Sequence, residues 1–450
     1  MPLRRLSHLA LVARSAFAAR ATLVTLAALV GLAALVALAA LVGPANLVPV
    51  ATAEAGPAAN AAANAAADAA ANAAADAAAD SVLGLGDNHA GDRGNRRNRG
   101  NRGPTADPAG QRLSIERFAT ESVVGPEDFA IEPSGDLVCG TADGRILRVR
   151  VTDGRSEELA QTGGYPLGLA FDRHGNLLIA DAHRGLLSLD EHRGLQSPAQ
   201  GREFPNLGED PGLPTPAPGG EVRALVTEEG GAALHFTNGV AIGASGAVYF
   251  SDSSRRHGPE AVHREALDAQ PSGRLLRYDP ATGAVDRLLD GLFFANGVAV
   301  DPEERFVLVA ETFAYRVTRY WLQGAQAGRS EAFVEDLPGL PDGISYNGAG
   351  VYWLALFAPR SRLLDALAHW PSVRRLLAWL PASLLPAPER HGRVLGLDIE
   401  GRVVHDLRDP AGTYAPISSA RQVGPWLYLG SLTESGIGRA ALPAPEKESN

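Results

Sequence analysis

The sequence predicts an all-β protein built as a six-bladed β-propeller, and two observations predict that fold class. One phrase recurs six times: a small or polar pair, an apolar strand, a turn about nine residues on, and a second apolar strand. Further apolar strands follow several copies, so each unit has the strands of one blade. Units of this kind around an axis leave only short, protected edges. The copies begin at Pro126, Pro166, Thr237, Ala295, Pro341 and Pro416.

Length and composition bound what the chain does. Its 450 residues, 45% of them hydrophobic, suffice for one large domain with a substantial core. A formal net charge of −10 argues against a nucleic-acid partner and is compatible with a cation site. Cys139 is the single cysteine, so no intramolecular disulfide is possible.

The N-terminus predicts a membrane segment. A basic stretch, residues 1–20, precedes 22 predominantly apolar residues at 21–42, which is long enough to span a bilayer as a signal anchor. The alternative is a signal peptide cleaved near Ala53 or Ala55, which would give a secreted protein. In both cases the positive-inside rule places the following residues on the non-cytoplasmic side, periplasmic or extracellular.

A low-complexity linker is predicted over residues 43–110. Asn or Asp recurs every fourth residue in an alanine tract, and an Arg- and Gly-rich run follows it. This composition is typical of a spacer rather than of a site. The propeller is predicted over residues 111–442 and a polar tail over 443–450.

The repeat itself predicts a functional site. In a propeller the innermost strand of each blade begins near the central channel, so residues at one repeat position converge on the axis. The second positions of the six copies are Glu127, Leu167, Asn238, Asn296, Asp342 and Ile417. Two carboxylates and two amides among them form a hard-oxygen set suited to Ca²⁺. The competing interpretation is that Asn238-Gly239 and Asn296-Gly297 are ordinary turn dipeptides.

The region from Val124 to Arg439 resembles the strictosidine synthase-like family, especially its adipocyte plasma membrane-associated members, and more distantly the gluconolactonase (SMP-30) and paraoxonase propellers. The resemblance rests on phrases such as GPEDFA, PLGLAFD, VYFSDSS, FANGVAV, LPGLPDGI and LYLGSL. It implies a six-bladed propeller with its site at one channel mouth. It also implies a Ca²⁺ held at Glu127, Asn238, Asn296 and Asp342.

Two departures from the family pattern bear on chemistry. Metal-dependent relatives often have PDN where this chain has Pro341-Asp342-Gly343, so one potential ligand is absent. The position that best matches the catalytic Glu of the true synthases is Gln422. An amide cannot take the proton that amine–aldehyde condensation requires of a carboxylate, which disfavours a condensing enzyme.

Hydrolysis of a lactone or an aryl ester fits the remaining residues. His183 is the candidate base that activates water, and Asp181 and Asp252 would orient it or the water. The competing interpretation of His183 is a surface turn histidine. The expected partner is a small apolar ester or lactone, with the N-terminal helix in a membrane.

Two further possibilities stay open. A non-catalytic propeller with a structural metal is the main alternative function, because propellers serve both roles. An insertion over residues 359–390 has apolar residues at helical spacing, which predicts a lid over an apolar substrate, a membrane contact or a hairpin packed on the rim.

Overall fold

The computed structural model describes residues 110–119, 122–190, 220–268, 270–367, 370–379 and 389–442. The segments predicted at 1–20 and at 21–42 lie outside these residues, as do the predicted linker at 43–110, except for Gly110, and the tail at 443–450. No helix within the described residues has the length and apolar character needed to cross a bilayer.

The described chain forms six antiparallel sheets arranged as the blades of a propeller, which confirms the predicted fold class. Two short strands come first: β1 (Gln111–Arg112) and β2 (Ile115–Phe118). Blade 1 follows with four strands: β3 (Phe129–Ile131), β4 (Leu137–Gly140), β5 (Arg145–Val149) and β6 (Ser156–Gln161). Blade 2 has four more: β7 (Pro166–Phe171), β8 (Leu177–Asp181), β9 (Gly185–Asp190) and β10 (Glu221–Val226).

The next two blades repeat this order. A small hairpin, β11 (Glu228–Glu229) with β12 (Ala232–Ala233), precedes blade 3. Blade 3 consists of β13 (Thr237–Ile242), β14 (Val248–Asp252), β15 (Gly273–Tyr278) and β16 (Val285–Leu292). Blade 4 consists of β17 (Ala295–Val300), β18 (Phe306–Glu311), β19 (Arg316–Trp321) and β20 (Ser330–Val334).

The last two blades are completed by the N-terminal strands. Blade 5 contains β21 (Gly339–Tyr346), β22 (Tyr352–Pro359), β23 (Gly392–Leu397) and β24 (Val403–Asp409), with β1 added in parallel to β24. Blade 6 contains β25 (Ser419–Val423), β26 (Trp426–Gly430) and β27 (Ile437–Ala441), with β2 as its outermost strand. The chain therefore closes its ring of blades with a strand from the other end of the domain.

Three short helices lie in insertions: α1 (Val262–Asp268) in blade 3, and α2 (Arg362–Leu367) and α3 (Pro371–Leu377) in blade 5. Each insertion follows the second strand of its blade. Within a blade the start of the first strand pairs with the end of the second, as in Thr237 with Asp252. The insertions therefore leave the propeller at the end where the innermost strands begin, which we call the site face.

These strands form because segments rich in β-branched and aromatic residues are separated by tight turns. In blade 2, Asp172 Oδ1 accepts hydrogen bonds from the backbone N–H groups of His174 and Asn176. Gly175 between them has φ of 84°, a conformation that L-residues rarely adopt. Six buried apolar clusters, one at each interface between neighbouring blades, form the core.

Candidate functional site

Backbone contacts between the innermost strands define a ring of residues around the axis. A Cβ placed on Gly239 would lie 2.6 Å from the carbonyl oxygen of Asn296, and one on Gly297 would lie 2.5 Å from that of Asp342. The same relation joins Gly168 to Asn238 and Gly343 to Ser418. In each case the residue after a ring position contacts the ring position of the next blade.

The sixth blade completes this ring with Ser418 rather than Ile417. Ser418 Oγ and Ser419 Oγ donate hydrogen bonds to the carbonyl oxygen of Glu127 at 2.8 and 2.5 Å. Ile417 is fully buried in the apolar cluster between blades 5 and 6. The repeat phase assigned to Ile417 was therefore wrong by one residue. The ring consists of Glu127, Leu167, Asn238, Asn296, Asp342 and Ser418.

The four predicted metal ligands, Glu127, Asn238, Asn296 and Asp342, are thus brought together and are all buried. Asn296 Nδ2 donates to Thr312 Oγ1 at 3.2 Å, and Thr312 Oγ1 donates to the carbonyl oxygen of Pro341 at 2.8 Å. These two bonds tie the start of blade 4 to the start of blade 5.

The two ring carboxylates lie in an environment that disfavours their charged forms. Burial, then the negative charges of Asp342 and Asp128, raise the pKa of Glu127 well above its ordinary value. Burial is also the main reason that the pKa of Asp342 is raised to about 8, against a hydrogen bond from Asn296 that lowers it. Glu127 Oε2 is buried and has no hydrogen-bond partner.

A third acid beside the ring does have a cationic partner. Arg421 on β25 donates to both carboxylate oxygens of Asp128, at 2.8 and 2.6 Å, and to the carbonyl oxygen of Leu169 at 3.4 Å. Its guanidinium therefore joins blade 6 to blades 1 and 2 within the channel. Asp128 is neutralised by this pair, whereas no ion pair joins Glu127 or Asp342 to a cation among the described residues.

These observations test whether the ring fits a metal ion. Buried like charges with an orphaned oxygen are costly unless a cation compensates them. Two carboxylates with two amide oxygens match the hard ligands that Ca²⁺ prefers. No described cluster of three or more His, Cys, Asp or Glu side chains is arranged to hold a metal, which is consistent with a site that takes half its ligands from asparagine. The donor set fits Ca²⁺.

An apolar tier covers the ring on the site face. Tyr165, Phe236 and Phe294 each lie two residues before a ring position, and they belong to one apolar cluster. Other members come from the α1 insertion, from blade 4 and from blade 6: Val262, Phe313 and Leu432. Blades 2, 4 and 6 are not neighbours, so one cluster contacts all three only near the axis. The shared spacing of Tyr165, Phe236 and Phe294 was visible in the sequence and was missed.

Tyr165 is the polar member of this aromatic tier. Burial, followed by the negative charges of Glu127 and Asp342, raises the pKa of its phenol. The hydroxyl therefore stays protonated at neutral pH and is available as a hydrogen-bond donor beside the ring.

His183 lies at the rim rather than in the ring. Its side chain is 42% exposed, its Nε2 is 3.6 Å from Glu260 Oε1, and its ring centroid is 6.3 Å from that of Tyr165. Its contact with Tyr165 places His183 beside the aromatic tier. Its exposure also agrees with the interpretation of a surface turn histidine. Its role as a base stays a prediction.

Asp181 and Asp252 accept hydrogen bonds from the backbone of neighbouring loops. Asp181 Oδ1 accepts hydrogen bonds from the backbone N–H groups of Tyr165, His183 and Arg184. Asp252 Oδ1 accepts from the N–H of Phe236 at 2.8 Å, and its Oδ2 pairs with buried Arg274 at 2.8 Å. Each acid ends the second strand of its blade and fixes the loop that leads into the first. These contacts give both acids a positioning role, and their catalytic role stays a prediction.

Gln422 lies at the opposite end of β25 from the ring. Its Oε1 accepts hydrogen bonds from Asn347 Nδ2 at 2.8 Å and Trp353 Nε1 at 2.9 Å. The ring position of that blade is Ser418, so neither residue supplies a carboxylate at the mouth. A surface cavity of about 650 Å³ is lined by residues such as Phe118, Asp153 and Arg439, and no ring residue is part of its lining.

The fold and ring define a six-bladed propeller with an oxygen-rich site on its axis, and comparison with known proteins places it in a family. The profile described as Strictosidine synthase matches residues 238–325, and Strictosidine synthase-like, N-terminal matches residues 111–149. Strictosidine synthase-like protein 6 of Arabidopsis thaliana is 32% identical over 353 residues, 75% of this chain and 86% of the relative. The chain belongs to the strictosidine synthase-like family.

Animal relatives agree with this assignment. The human adipocyte plasma membrane-associated protein is 31% identical over 354 residues, 73% of this chain and 78% of the relative. A gluconolactonase of Xanthomonas campestris matches with a TM-score of 0.49 and 18% identity, covering 74% of this chain and 90% of that one. The calcium-binding protein regucalcin of Agrobacterium tumefaciens matches with a TM-score of 0.47 and 14% identity, covering 74% and 95%.

Proposed function

We propose that the protein is a Ca²⁺-dependent hydrolase of small apolar lactones or aryl esters. The observation that carries the proposal is the pair of buried carboxylates, Glu127 and Asp342, with an orphaned oxygen directly beneath an aromatic tier. An oxygen-rich cation site favours a carbonyl substrate, and an aromatic cover favours an apolar one.

In this proposal, different residues of the site carry out different parts of the hydrolysis. Glu127, Asn238, Asn296 and Asp342 would hold the cation, and a bound Ca²⁺ would polarise the carbonyl group. The protonated phenol of Tyr165 would donate a hydrogen bond to an oxygen of the substrate. His183 would accept a proton from the attacking water at a ring nitrogen.

Access to the ring requires movement of the aromatic tier. Phe236 and Phe294 are almost fully buried, and their ring centroids are 5.2 Å apart in an edge-to-face contact. The apolar group of a substrate would replace these contacts and exclude water from the ring. A polyhydroxylated lactone would bury hydroxyl groups against phenyl rings without partners, which is unfavourable.

The proposal is tested by measuring hydrolysis of aryl esters and lactones of graded chain length by the full chain, before and after chelation. Asn238→Ala and Asn296→Ala should lower kcat at least as much as His183→Ala, for which loss of a general base typically costs about 10²–10⁴-fold. Asn347→Ala, a substitution of an asparagine off the ring, should leave kcat unchanged. Activity that survives chelation and both ring substitutions would refute the proposal.

A non-catalytic binding propeller is the second candidate, and the closed aromatic tier favours it. A filled mouth is suited to a structural cation that holds the blades together. Calcium binding with no turnover of any ester or lactone would support this function instead. A condensing synthase is disfavoured because neither Ser418 nor Gln422 is a carboxylate.

Residues 21–42 would anchor the protein in a membrane, with the propeller on the non-cytoplasmic side. The apolar length of this segment and the basic residues before it support this topology. Relatives named plasma membrane-associated proteins agree with a membrane location. Retention in the membrane fraction after a carbonate wash would support the anchor, whereas soluble protein beginning near Ala53 would indicate a cleaved signal peptide.

A further inference from the structure

Three large apolar side chains are exposed together on the blade 5 insertion. Trp370, Leu376 and Trp379 are 63%, 65% and 80% exposed, and we call them the tryptophan patch. Val124 and Val404 are the only other exposed large hydrophobic residues in the described part of the chain, and they are less exposed, at 51% and 41%. Monomeric soluble proteins seldom place two tryptophans and a leucine in water on one short segment.

The insertion that carries the patch is fixed to the propeller. Arg374 Nη2 donates to the carbonyl oxygen of Ala266 on α1 at 2.6 Å. The guanidinium of Arg360 lies 4.4 Å from the ring centroid of Tyr315 and its Nε pairs with Asp365 at 3.2 Å. The patch is therefore presented outward on helices that are held from two sides.

Arginine side chains flank the patch, although the chain as a whole is acidic. Helix α3 contains Arg374 and Arg375 and no acidic residue. Arg264 on α1 lies 6.0 Å from the ring centroid of Trp379. Neither Arg264 nor Arg375 forms an ion pair with another residue that the structure describes.

We infer that the tryptophan patch and its arginines dock on an anionic lipid bilayer. Tryptophan prefers the headgroup region, where its ring is half in apolar surroundings, and arginine is attracted to anionic headgroups. A second copy of the chain would bring Arg264 and Arg375 against their own equivalents, so self-association is disfavoured by charge. The insertions leave the propeller on the site face, so docking turns the channel mouth toward the lipid.

A fluorescent probe on the patch tests this inference in the full chain. Leu376→Cys is labelled with an NBD dye, and Ala349→Cys is the matched control because it is an exposed turn residue at the opposite end of blade 5. Cys139 is buried and its thiol pKa is raised to about 12, so it does not compete for the label. Nanodiscs of phosphatidylcholine with and without phosphatidylglycerol provide the bilayer.

With phosphatidylglycerol present, emission from position 376 should shift to shorter wavelength and be quenched by doxyl-labelled lipid, while emission from position 349 should do neither. Arg264→Gln and Arg375→Gln should each weaken docking roughly fivefold, from about 1 kcal/mol per basic residue. Equal responses at the two positions, or none at 376, would overturn the inference. A shift at 376 that depends on protein concentration and not on lipid would also overturn it, in favour of a second copy. The outcome does not depend on whether the ring is catalytic.

Discussion

Glu127 has the least satisfied side chain of the ring, since one carboxylate oxygen is buried without a partner and Asp342 adds a second negative charge nearby. Such a group destabilises the metal-free protein. A folded protein keeps such a destabilising group when a ligand binds to it. The ring is therefore a stronger candidate for a binding site than any exposed acid.

Glu127→Gln should therefore raise the melting temperature of the metal-free protein and abolish the rise that Ca²⁺ produces in the wild type. The neutral amide removes the buried charge but also removes a ligand. Differential scanning fluorimetry with and without EDTA measures both effects, and a shift on the order of a few degrees is expected.

Glu304→Gln is the matched control for that experiment. Glu304 is buried away from the ring and accepts hydrogen bonds from the N–H of Ser245 at 2.7 Å and from Tyr249 at 3.2 Å. Its substitution should lower the melting temperature and leave the calcium response intact. A calcium response that persists in Glu127→Gln would count against the ring as the cation site.

Individual positions also show how much of the site could be predicted from the sequence. The repeat phase predicted Glu127, Asn238, Asn296 and Asp342 because each starts an innermost strand. It failed at Ser418, since a buried isoleucine before it occupies the place that polar residues hold in other copies. Arg421 with Asp128 was not predicted because their pairing joins blades that lie at opposite ends of the chain.

At the level of secondary-structure elements, the acidic residues at the ends of three strands have the same structural role. Three acidic residues each end the second strand of a blade: Asp181, Asp252 and Glu311. Their carboxylates accept hydrogen bonds from backbone N–H groups in the loop before the first strand. Sequence reasoning took the first two for catalytic groups because an acid beside a channel resembles one. Their hydrogen-bond partners show that the three acids position Tyr165, Phe236 and Phe293, and a catalytic role of Asp181 and Asp252 stays a prediction.

Asp252→Asn should destabilise the fold by about 3 kcal/mol, because it leaves the buried guanidinium of Arg274 with Glu229 as its one acidic partner. Urea denaturation measures the change. Asp286→Asn removes an exposed ion pair with Arg277 in the same blade and should cost about 0–1 kcal/mol. Equal costs for the two variants would contradict the buried-pair account, and a catalytic Asp252 would be revealed by a fall in kcat that exceeds the loss of folded protein.

The outer strands of blade 5 predict a pH dependence. Burial alone would raise the pKa of Asp406, but hydrogen bonds from Arg408 and Arg393 outweigh it and lower the pKa. A lowered folded-state pKa stabilises the fold at pH values above the unfolded value of about 3.9, and this contribution is lost as pH falls below it. Asp406→Asn should be less stable at pH 7 and should lose less stability than the wild type between about pH 4 and pH 2. Parallel acid-unfolding curves for the two proteins would contradict this prediction.

At the scale of the molecule, the sixfold repeat made the propeller predictable but gave no sign of how it closes. Blade 6 takes its outer strand from residues 115–118, over 300 positions away in the chain, where β2 pairs with β27. Glu116 bonds Arg439 at 2.6 Å, and Arg117 bonds Glu434 at 2.6 Å. The local sequence pattern cannot predict this pairing, because it identifies each segment as a strand without indicating which strand it pairs with.

Removing residues 1–109 should leave the propeller intact, whereas removing residues 1–118 should open its closure. Loss of the β2 ladder should cost about 4 kcal/mol, at roughly 1 kcal/mol for each lost backbone hydrogen bond, and would expose the edge of β27. Urea denaturation and light scattering compare the two truncations. Equal stability and equal solubility would mean that the ring of blades does not depend on its N-terminal strand.

The close approach of backbones at Gly168, Gly239, Gly297 and Gly343 has a consequence for sequence variation. At these four positions even a methyl group would meet a neighbouring carbonyl oxygen at 2.5 to 2.7 Å. The two equivalent positions in the other blades already carry side chains, Asp128 and Ser419. A library of all single substitutions, sorted for folded protein on a cell surface, should therefore record these four glycines as intolerant of any side chain, whereas positions 128 and 419 should accept residues close in size to Asp128 and Ser419. In such a tolerance map, these four glycines would mark the innermost strands of blades 2, 3, 4 and 5.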